Sequence, residues 1–144
     1  MKTVRQLLES KGHSILSIAP TKTVYDALVV MAENHVGALM VMDGETLVGI
    51  FSERDYARNV ILKGKASKDT LVSEIMTQQD CLITVTPENT VNECLSLINN
   101  KRIRHLPVVE NGKAVGILSI GDIVKETIAY QQFLINQLES YIQS

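Results

Sequence analysis

The chain has 144 residues, which is within the size range of one ordinary domain, and its formal net charge at pH 7 is −2. General nucleic-acid binders usually carry a basic excess, so this charge makes nucleic acid an unlikely partner, although it does not exclude a local basic patch. Apolar residues make up 45% of the chain, aromatic residues only 4%, and Trp is absent. The core is therefore expected to consist of Val, Ile, Leu, Met and Ala.

The N-terminus has charged residues where a signal peptide needs an uninterrupted apolar region. No apolar run approaches the roughly 18 residues that a membrane helix needs, so no membrane partner is expected. The two cysteines, Cys81 and Cys94, do not form a metal-like pair, and Cys94 has the spacing of a small buried residue on a helix. A reduced, cytoplasmic setting is the default expectation.

In chain order, residues 4–10 predict a short amphipathic helix that ends near Gly12. Residues 15–18 are β-prone, and Thr23-x-x-Asp26 then resembles a capping box at the start of a second helix. Two apolar runs, 38–42 and 47–51, predict strands joined by a hairpin at Asp43-Gly44. Their nearly continuous apolar character favours a sheet that is covered on both faces.

The same pattern recurs 67 residues later, which indicates an internal duplication. The matched pairs without any gap include Pro20 and Pro87, Thr23 and Thr90, Leu39 and Leu106, Ser52 and Ser119, and Asp55 and Asp122. Each repeat is predicted to be β-α-β-β-α, giving an α/β (α+β) fold. A single copy of about 60 residues would be marginally stable, so we expect the two copies to share a core. The hairpin glycines, Gly44 and Gly112, are 68 residues apart, so the two tips should differ in conformation.

The predicted boundaries are 1–66 for the N-terminal helix and first repeat, 67–128 for the second repeat, and 129–144 for a C-terminal helix. A polar connector at 63–69 separates the repeats, and a short helix equivalent to the N-terminal one follows it. The C-terminal helix has an apolar stripe that includes Ile128, Ile135, Leu138 and Ile142. This stripe has two interpretations, packing on its own domain or contact with a second copy, and from it we expect a homodimer.

Each repeat ends with an apolar strand, a Ser-x-x-Asp turn and the start of a helix, namely Ser52 to Asp55 and Ser119 to Asp122. One interpretation is structural, because Ser can cap a helix and Asp at the third position can accept a bond in return. The other is a ligand site, because a helix N-terminus favours an anion and a carboxylate can bind a ribose diol. The residues alone leave both interpretations open.

The tandem repeat with its apolar-Gly-apolar-apolar-Ser-x-x-Asp motif resembles the CBS domain pair, or Bateman module, over roughly residues 11–128. The run Arg102-Ile103-Arg104-His105-Leu106-Pro107 is similar to that family's pattern, and Ser52-Glu53-Arg54-Asp55 resembles small stand-alone bacterial pairs. The resemblance implies pseudo-two-fold packing of the repeats around two clefts. Each cleft would bind an adenosine nucleotide such as AMP, ATP or NAD.

The resemblance also implies roles for particular residues. Asp122 and Asp55 would accept hydrogen bonds from ribose hydroxyls, with Ser119 and Ser52 near ribose or phosphate. The wall opposite Asp122 would come from His13, Ser14, Val36, Gly37 and Ala38. The wall opposite Asp55 would come from Thr77, Cys81, Ile103 and Pro107. Basic groups facing phosphates would be Arg104 and His105, with Arg54 as a partial substitute in the first repeat.

The two clefts are not expected to be equivalent. Gly37-Ala38 stands where the second repeat has Arg104-His105, so one wall is bare and the other is charged. Without the resemblance, Arg104 would be interpreted as a solvated surface residue. The histidines and cysteines have no metal-ligand spacing, and the glycines do not form a phosphate loop or a dinucleotide motif.

The sequence therefore predicts a regulatory nucleotide sensor with an unknown effector partner, acting by differential affinity for two conformations. It is not expected to be an enzyme, because it shows no nucleophile–base signature. The alternatives are an enzyme that acts on a nucleotide, a structural dimerisation module with non-functional clefts, and, more weakly, a nucleic-acid binder.

Overall fold

The computed structural model describes residues 2–12 and 15–143 of the chain. In this part there are six α-helices: α1 Val4–Lys11, α2 Val24–Asn34, α3 Glu53–Tyr56, α4 Val72–Ile75, α5 Val91–Lys101 and α6 Ile120–Gln143. The strands are β1 Ser17–Ile18, β2 Ala38–Asp43, β3 Thr46–Ser52, β4 Thr77–Gln78, β5 His105–Glu110 and β6 Lys113–Ser119. Helix α3 continues directly into a π-helical turn, Ala57–Ile61. The mixed α and β composition that the sequence predicts is confirmed.

Threonine caps begin three of the helices. The Thr3 hydroxyl accepts from the backbone N–H of Gln6 at 3.3 Å, and the Gln6 side chain accepts from the N–H of Thr3 at 3.0 Å. Thr90 at the start of α5 forms the same reciprocal pair of bonds. At α2, the structure forms the bond from the N–H of Asp26 to Thr23, at 3.1 Å, and so one half of the predicted capping box. This bond satisfies one N–H group that the first helical turn leaves unpaired.

The parallel pairing followed by an antiparallel hairpin recurs in both repeats, although the described sheet of the second repeat has fewer strands. Strands β1 to β4 form one sheet in sequence order, with β1 parallel to β2 and the other neighbours antiparallel. Strands β5 and β6 form a hairpin, and a parallel bridge between Val85 and Val108 stands where the first repeat has β1. The predicted β-α-β-β-α order is therefore present, with a single bridge in place of one strand.

The two hairpin tips differ, as the glycine spacing predicts. The tip between β2 and β3 has one residue with a left-handed backbone, Gly44 with φ 63°. The tip between β5 and β6 has two in succession, Asn111 with φ 54° and Gly112 with φ 78°. Two consecutive positive φ angles are typical of a tight two-residue hairpin turn, and Asn-Gly is the dipeptide that adopts them most readily.

The short helix before each repeat packs with the other repeat. The backbone N–H of Val4 in α1 donates to the carbonyl of Asn89 at 2.8 Å, beside an isolated bridge between Thr3 and Thr90. In the same way, the N–H of Val72 in α4 donates to the carbonyl of Lys22 at 2.9 Å. The predicted equivalence of α1 and α4 is confirmed. Helix α1 packs on the second repeat, and α4 packs on the first.

Two compact units result. One consists of α1, Thr84–Glu110 and the chain from Val115 through α6, and the other of the chain between Ile15 and Ile83 together with Asn111–Ala114. We call them the Asp122 unit and the Asp55 unit, after their Ser-x-x-Asp carboxylates. The boundaries at 66 and 128 describe the repeats along the chain and stay predictions.

The core of each unit consists mainly of aliphatic side chains. In β2 the residues from Ala38 to Val41 are all at most 7% exposed, so both faces of this strand are covered. The core of the Asp55 unit also includes Ile18, Val24, Ala27, Met31, Phe51, Val60, Val72 and Ile75. Cys94 is fully buried, which confirms its interpretation as a small apolar residue, and burial raises the pKa of its thiol to about 11.

Helix α6 is continuous over 24 residues and confirms the predicted C-terminal helix as far as Gln143. Only its first turns are covered, since Ile123 is fully buried whereas the side chains beyond residue 130 are exposed. The stripe is accordingly open to solvent, with Ile128 60% and Leu138 62% exposed. The interpretation that the stripe packs on its own domain is wrong for this part of the helix.

Candidate functional site

Both Ser-x-x-Asp turns form capping boxes. In the Asp122 unit, the Ser119 hydroxyl accepts from the N–H of Asp122 at 3.1 Å, and Asp122 Oδ2 accepts from the N–H of Ser119 at 2.8 Å. In the Asp55 unit, the corresponding distances for Ser52 and Asp55 are 3.2 and 2.9 Å. The structural interpretation is thus confirmed for both turns. The same bonds hold each carboxylate in one orientation at a helix N-terminus, where the helix dipole favours negative charge.

The first N–H of each helix bonds to the residue just before the other strand of its hairpin. The N–H of Glu53 donates to the carbonyl of Gly37 at 3.1 Å, and the N–H of Ile120 donates to the carbonyl of Arg104 at 2.8 Å. The start of β2 and the start of β5 therefore lie beside the turn of their own repeat. The repetition of this bond places Gly37 and Arg104 at equivalent positions, as the alignment of the two repeats predicts.

The carboxylate of Asp55 is partly buried and has mainly hydroxyl partners. Ser52 Oγ donates to Asp55 Oδ2 at 3.0 Å, and Thr77 Oγ1 donates to Asp55 Oδ1 at 3.4 Å. Burial raises the pKa of Asp55, and this effect outweighs the bonds from Ser52 and Thr77 and the charge of Arg58. The structure thus brings together Ser52, Asp55 and Thr77, three of the residues that the resemblance assigns to this site.

The carboxylate of Asp122 instead has an ammonium partner. Lys11, the last residue of α1, places Nζ 2.5 Å from Asp122 Oδ2 and 2.7 Å from the carbonyl oxygen of Ile117. Burial by itself raises the pKa of Asp122. The bond and charge of Lys11 and the N–H of Ser119 lower this pKa by more than burial raises it, so the net shift is downward. Sequence reasoning missed Lys11, because a basic residue at a helix end gives no sign of which repeat it will contact.

His105 lies in the same electrostatic environment. Burial lowers the pKa of this imidazole, and the positive charges of Lys11 and Arg104 lower it further, whereas the charge of Asp122 acts in the opposite direction. The Arg104 side chain is exposed, and its backbone carbonyl holds the start of α6. The Asp122 unit therefore brings Ser119, Asp122, Arg104 and His105 together with Lys11.

The remaining predicted residues are distributed between the two units. His13 and Ser14 lie outside the described residues. The structure places Val36, Gly37 and Ala38 in the Asp55 unit, and Ile103 and Pro107 in the Asp122 unit. Their assignment to the opposite carboxylates stays a prediction. Cys81 lies in the exposed turn Gln79–Cys81 after β4, and Arg54 is exposed on α3.

An open groove of about 650 Å³ lies in the Asp55 unit, between α2 and the start of α3. It is lined by three residues of α2, by residues 35–37, and by Glu53 and Tyr56. Val36 and Gly37, which the resemblance assigns to an adenine wall, therefore border an accessible and mainly apolar groove.

Acid titration should separate the two carboxyl groups. We expect Asp55 to protonate above the ordinary Asp pKa of about 3.9 and Asp122 below it, which ¹³C NMR of the side-chain carboxyls measures directly. The stability contributed by Asp122 is present above the unfolded pKa and is lost as the pH falls through the lower folded pKa. The contribution of Asp55 is present below the unfolded pKa and is lost as the pH rises through the higher folded pKa.

The variant Lys11→Met provides the control for this titration, since it should raise the pKa of Asp122 and leave that of Asp55 unchanged. Equal pKa values for the two carboxyls in the unmodified protein would contradict the opposite electrostatic environments described above.

The fold is a duplicated α+β module with one Ser-x-x-Asp turn in each repeat. The family model of the CBS domain matches residues 4–61 and 72–128. The chain therefore belongs to the CBS domain family, as the resemblance indicates. Among the residues that the structure describes, no three His, Cys, Asp or Glu side chains converge as a metal site would require. No helix in the described ranges has both the length and the apolar content of a membrane span.

The chain is similar to other CBS domain proteins in sequence and in fold. The chain is 40% identical over 148 residues to the mitochondrial CBS domain-containing protein CBSX3 of Arabidopsis thaliana, covering 98% of this chain and 72% of that protein. The crystal structure of the CBS domain protein NE2398 is 49% identical, with a TM-score of 0.83 and coverage of 88% and 98%. The CBS domain protein PAE2072 of Pyrobaculum aerophilum, solved in complex with AMP, is 27% identical, with a TM-score of 0.73 and coverage of 83% and 88%.

Proposed function

We propose that this chain is a regulatory module that binds an adenosine nucleotide, AMP, ATP or NAD, and changes conformation without transforming the ligand. The observation that carries the proposal is the pair of carboxylates, Asp55 and Asp122, each held by a capping box where a strand meets a helix. An ionised carboxylate offers acceptor sites in a fixed direction, which suits the two hydroxyl donors of a ribose. The AMP complex of PAE2072 supports the choice of ligand class.

The proposed site residues keep the roles that the resemblance implies. Asp122 and Asp55 accept from ribose hydroxyls, and the serines of the two turns lie near ribose or phosphate. Arg104 provides positive charge for the phosphates in the Asp122 unit, and Arg54 provides it in the Asp55 unit. His105, whose pKa is lowered by burial and by the neighbouring positive charges, contributes a neutral imidazole as a hydrogen-bonding group. Regulation follows if the nucleotide has a higher affinity for one conformation, because a ligand shifts an equilibrium only by its difference in affinity for the two states.

Release of bound nucleotide from the purified, denatured protein, followed by mass spectrometry, tests the proposal most directly. A second measurement is the melting temperature with added AMP, NAD or ATP. Ligand at 100 times its Kd stabilises the folded state by about 2.7 kcal/mol, which raises the melting temperature of a domain of this size by several degrees. If no nucleotide is released and none shifts the melting temperature, the structural dimerisation module is the better description. Steady conversion of a nucleotide would instead show an enzyme.

A second part of the proposal is homodimerisation through α6, in a cytoplasmic setting. Positions 124, 128, 131, 135, 138 and 142 follow alternating spacings of four and three residues, the pattern of a coiled-coil seam. Four of the apolar residues on this seam, Ile128, Ile135, Leu138 and Ile142, are 47% to 78% exposed. The first heptad position is Ile at 128, 135 and 142, and the fourth is Val124, Gln131 and Leu138. A β-branched first position with Leu at the fourth favours two strands, so we infer from the Ile135–Leu138 heptad that the occupant of this face is a second copy of α6.

Light scattering should therefore give about twice the chain mass of 15.9 kDa. The variant Ile135→Glu places two like charges against each other in the seam and should yield the monomer. Ser140→Glu, on the opposite face of the same helix, is the matched control and should leave the mass unchanged. A monomeric unmodified protein at tens of micromolar would contradict this part of the proposal without affecting nucleotide binding.

A further inference from the structure

Lys11 occupies an acceptor position on Asp122 for which the proposed ligand would have to compete. Its ammonium lies 2.5 Å from Asp122 Oδ2, and the same oxygen accepts from the N–H of Ser119. Asp122 is the carboxylate proposed to accept from the ribose hydroxyls. A carboxylate has about four acceptor positions, and two of those on Asp122 are already used by these donors. A ribose that needs both oxygens must therefore compete with Lys11.

The contact joins elements that are far apart in the sequence, 111 residues from Lys11 to Asp122. Lys11 is the last residue of α1, and Gly12 follows it with a φ of 105°. The Lys11 side chain is 36% exposed and that of Asp122 is 26% exposed, so neither partner is sealed from solvent. A flexible four-carbon stem at a helix end can move its ammonium to another acceptor nearby without a change in the backbone.

The corresponding carboxylate in the other unit has a different environment. Asp55 accepts from the Thr77 hydroxyl at 3.4 Å, where Asp122 accepts from an ammonium. A hydroxyl can rotate away from a carboxylate and find water, and no charge is then left without a partner. Displacement of Lys11, in contrast, separates two opposite charges at a partly buried position. This costs more free energy than rotating a hydroxyl, unless a new anion pairs with the ammonium.

A nucleotide supplies such an anion, and a nucleoside does not. The phosphate is attached to the same ribose whose hydroxyls would approach Asp122, so it lies within one side-chain length of the released ammonium. Exposed Arg104, directly before β5, adds a second positive charge near Lys11, and both charges act to lower the pKa of His105.

We propose, on the basis of the nucleotide-binding function above, that the Lys11–Asp122 pair is a resting lock that selects phosphorylated ligands. AMP replaces both partners at once, because its ribose takes the Asp122 carboxylate while its phosphate takes Lys11. Adenosine replaces only one partner and leaves the ammonium uncompensated. Lys11 is thus a specificity-determining residue of the Asp122 unit, and the Asp55 unit has no equivalent ammonium contact among its described hydrogen bonds.

The test uses calorimetry of AMP and adenosine with the full chain carrying Asp55→Ala, so that only the Asp122 unit keeps its carboxylate. In this background, Lys11→Met should weaken AMP binding and leave adenosine binding unchanged or tighter. The ratio of the two affinities should fall about tenfold or more, since a charge-assisted bond to phosphate is lost. Lys11→Arg keeps the charge and should restore most of the preference for AMP.

Lys2→Met is the matched control, because Lys2 also forms an ion pair with a residue of α6, Glu126, at 3.5 Å. It should leave the ratio unchanged. An unchanged ratio in Lys11→Met, or an equal fall in Lys2→Met, would overturn the lock while leaving nucleotide binding intact. If the Asp55→Ala protein melts cooperatively but binds neither ligand, the proposed function of this site fails and the lock fails with it.

Discussion

Replacement of Asp122 by alanine, in protein that also carries Asp55→Ala, is expected to weaken AMP binding by roughly 1.5–3 kcal/mol. This is the range for hydrogen bonds that involve a charged group, and it corresponds to about 10- to 150-fold in Kd. The reason is that the carboxylate, held by the N–H of Ser119 at 2.8 Å, is the proposed acceptor for the ribose hydroxyls. Calorimetry with AMP and with 2′-deoxy-AMP measures the effect, because the deoxy ligand should lose much of the same energy in the protein that keeps Asp122.

Stability must be measured beside binding, since Asp122 also caps α6 and pairs with Lys11. Asp122→Asn serves as the control for the cap, because an amide oxygen can still accept from the N–H of Ser119. Equal affinity for AMP and 2′-deoxy-AMP in the protein with Asp122 present would remove the proposed ribose contact.

Replacement of Gly49 by alanine is expected to destabilise the fold by about 3 kcal/mol, at the upper end of the usual cost of overpacking. A Cβ at this buried position of β3 would lie 2.5 Å from the carbonyl oxygen of Thr77 and 2.8 Å from Met76 Sδ. The carbonyl belongs to the backbone of β4, which pairs with β3 here, so it cannot move without breaking that pairing. Denaturant unfolding of the variant measures the loss.

Gly116, the equivalent glycine of the second repeat, provides a matched comparison. A Cβ there would lie 2.7 Å from Leu8 Cδ2, which is the end of a side chain and not backbone. The Leu8 side chain is only 1% exposed and has little room, but its end can rotate slightly away from the new Cβ, whereas a backbone carbonyl cannot. We therefore expect a smaller cost, about 1 kcal/mol, for Gly116→Ala. A cost for Gly49→Ala no larger than that for Gly116→Ala would contradict the structural account of both glycines.

Several features were predictable because they depend on neighbouring residues. The start of α5 follows from Thr90 and Glu93, which are three residues apart and reach each other in a single helical turn. The two hairpins follow from their glycines, and the difference between the tips follows from the change of spacing from 67 to 68 residues. The two Ser-x-x-Asp turns were also visible, since each is local to one strand–helix junction.

Other features could not be predicted from local patterns. The apolar side of α1, with Val4, Leu7 and Leu8 buried, shows that this helix packs on a core but not on which one. The two repeats offer similar cores, because they descend from one pattern. The energetic difference between them lies in long-range contacts, such as the bond from the N–H of Val4 to Asn89.

The sequence by itself determined the duplication, the repeat order and the positions of both carboxylates, because periodicity and spacing record which side chains face a core and which residues cap a helix. Only the tertiary structure decided that α1 closes the second repeat, and this brings Lys11 to Asp122 while Asp55 receives Thr77. The opposite pKa shifts of two carboxylates in the same motif follow from that difference. A carboxylate's pKa depends on burial and on the charges that approach it through space, and neither is recorded in the four residues of the turn.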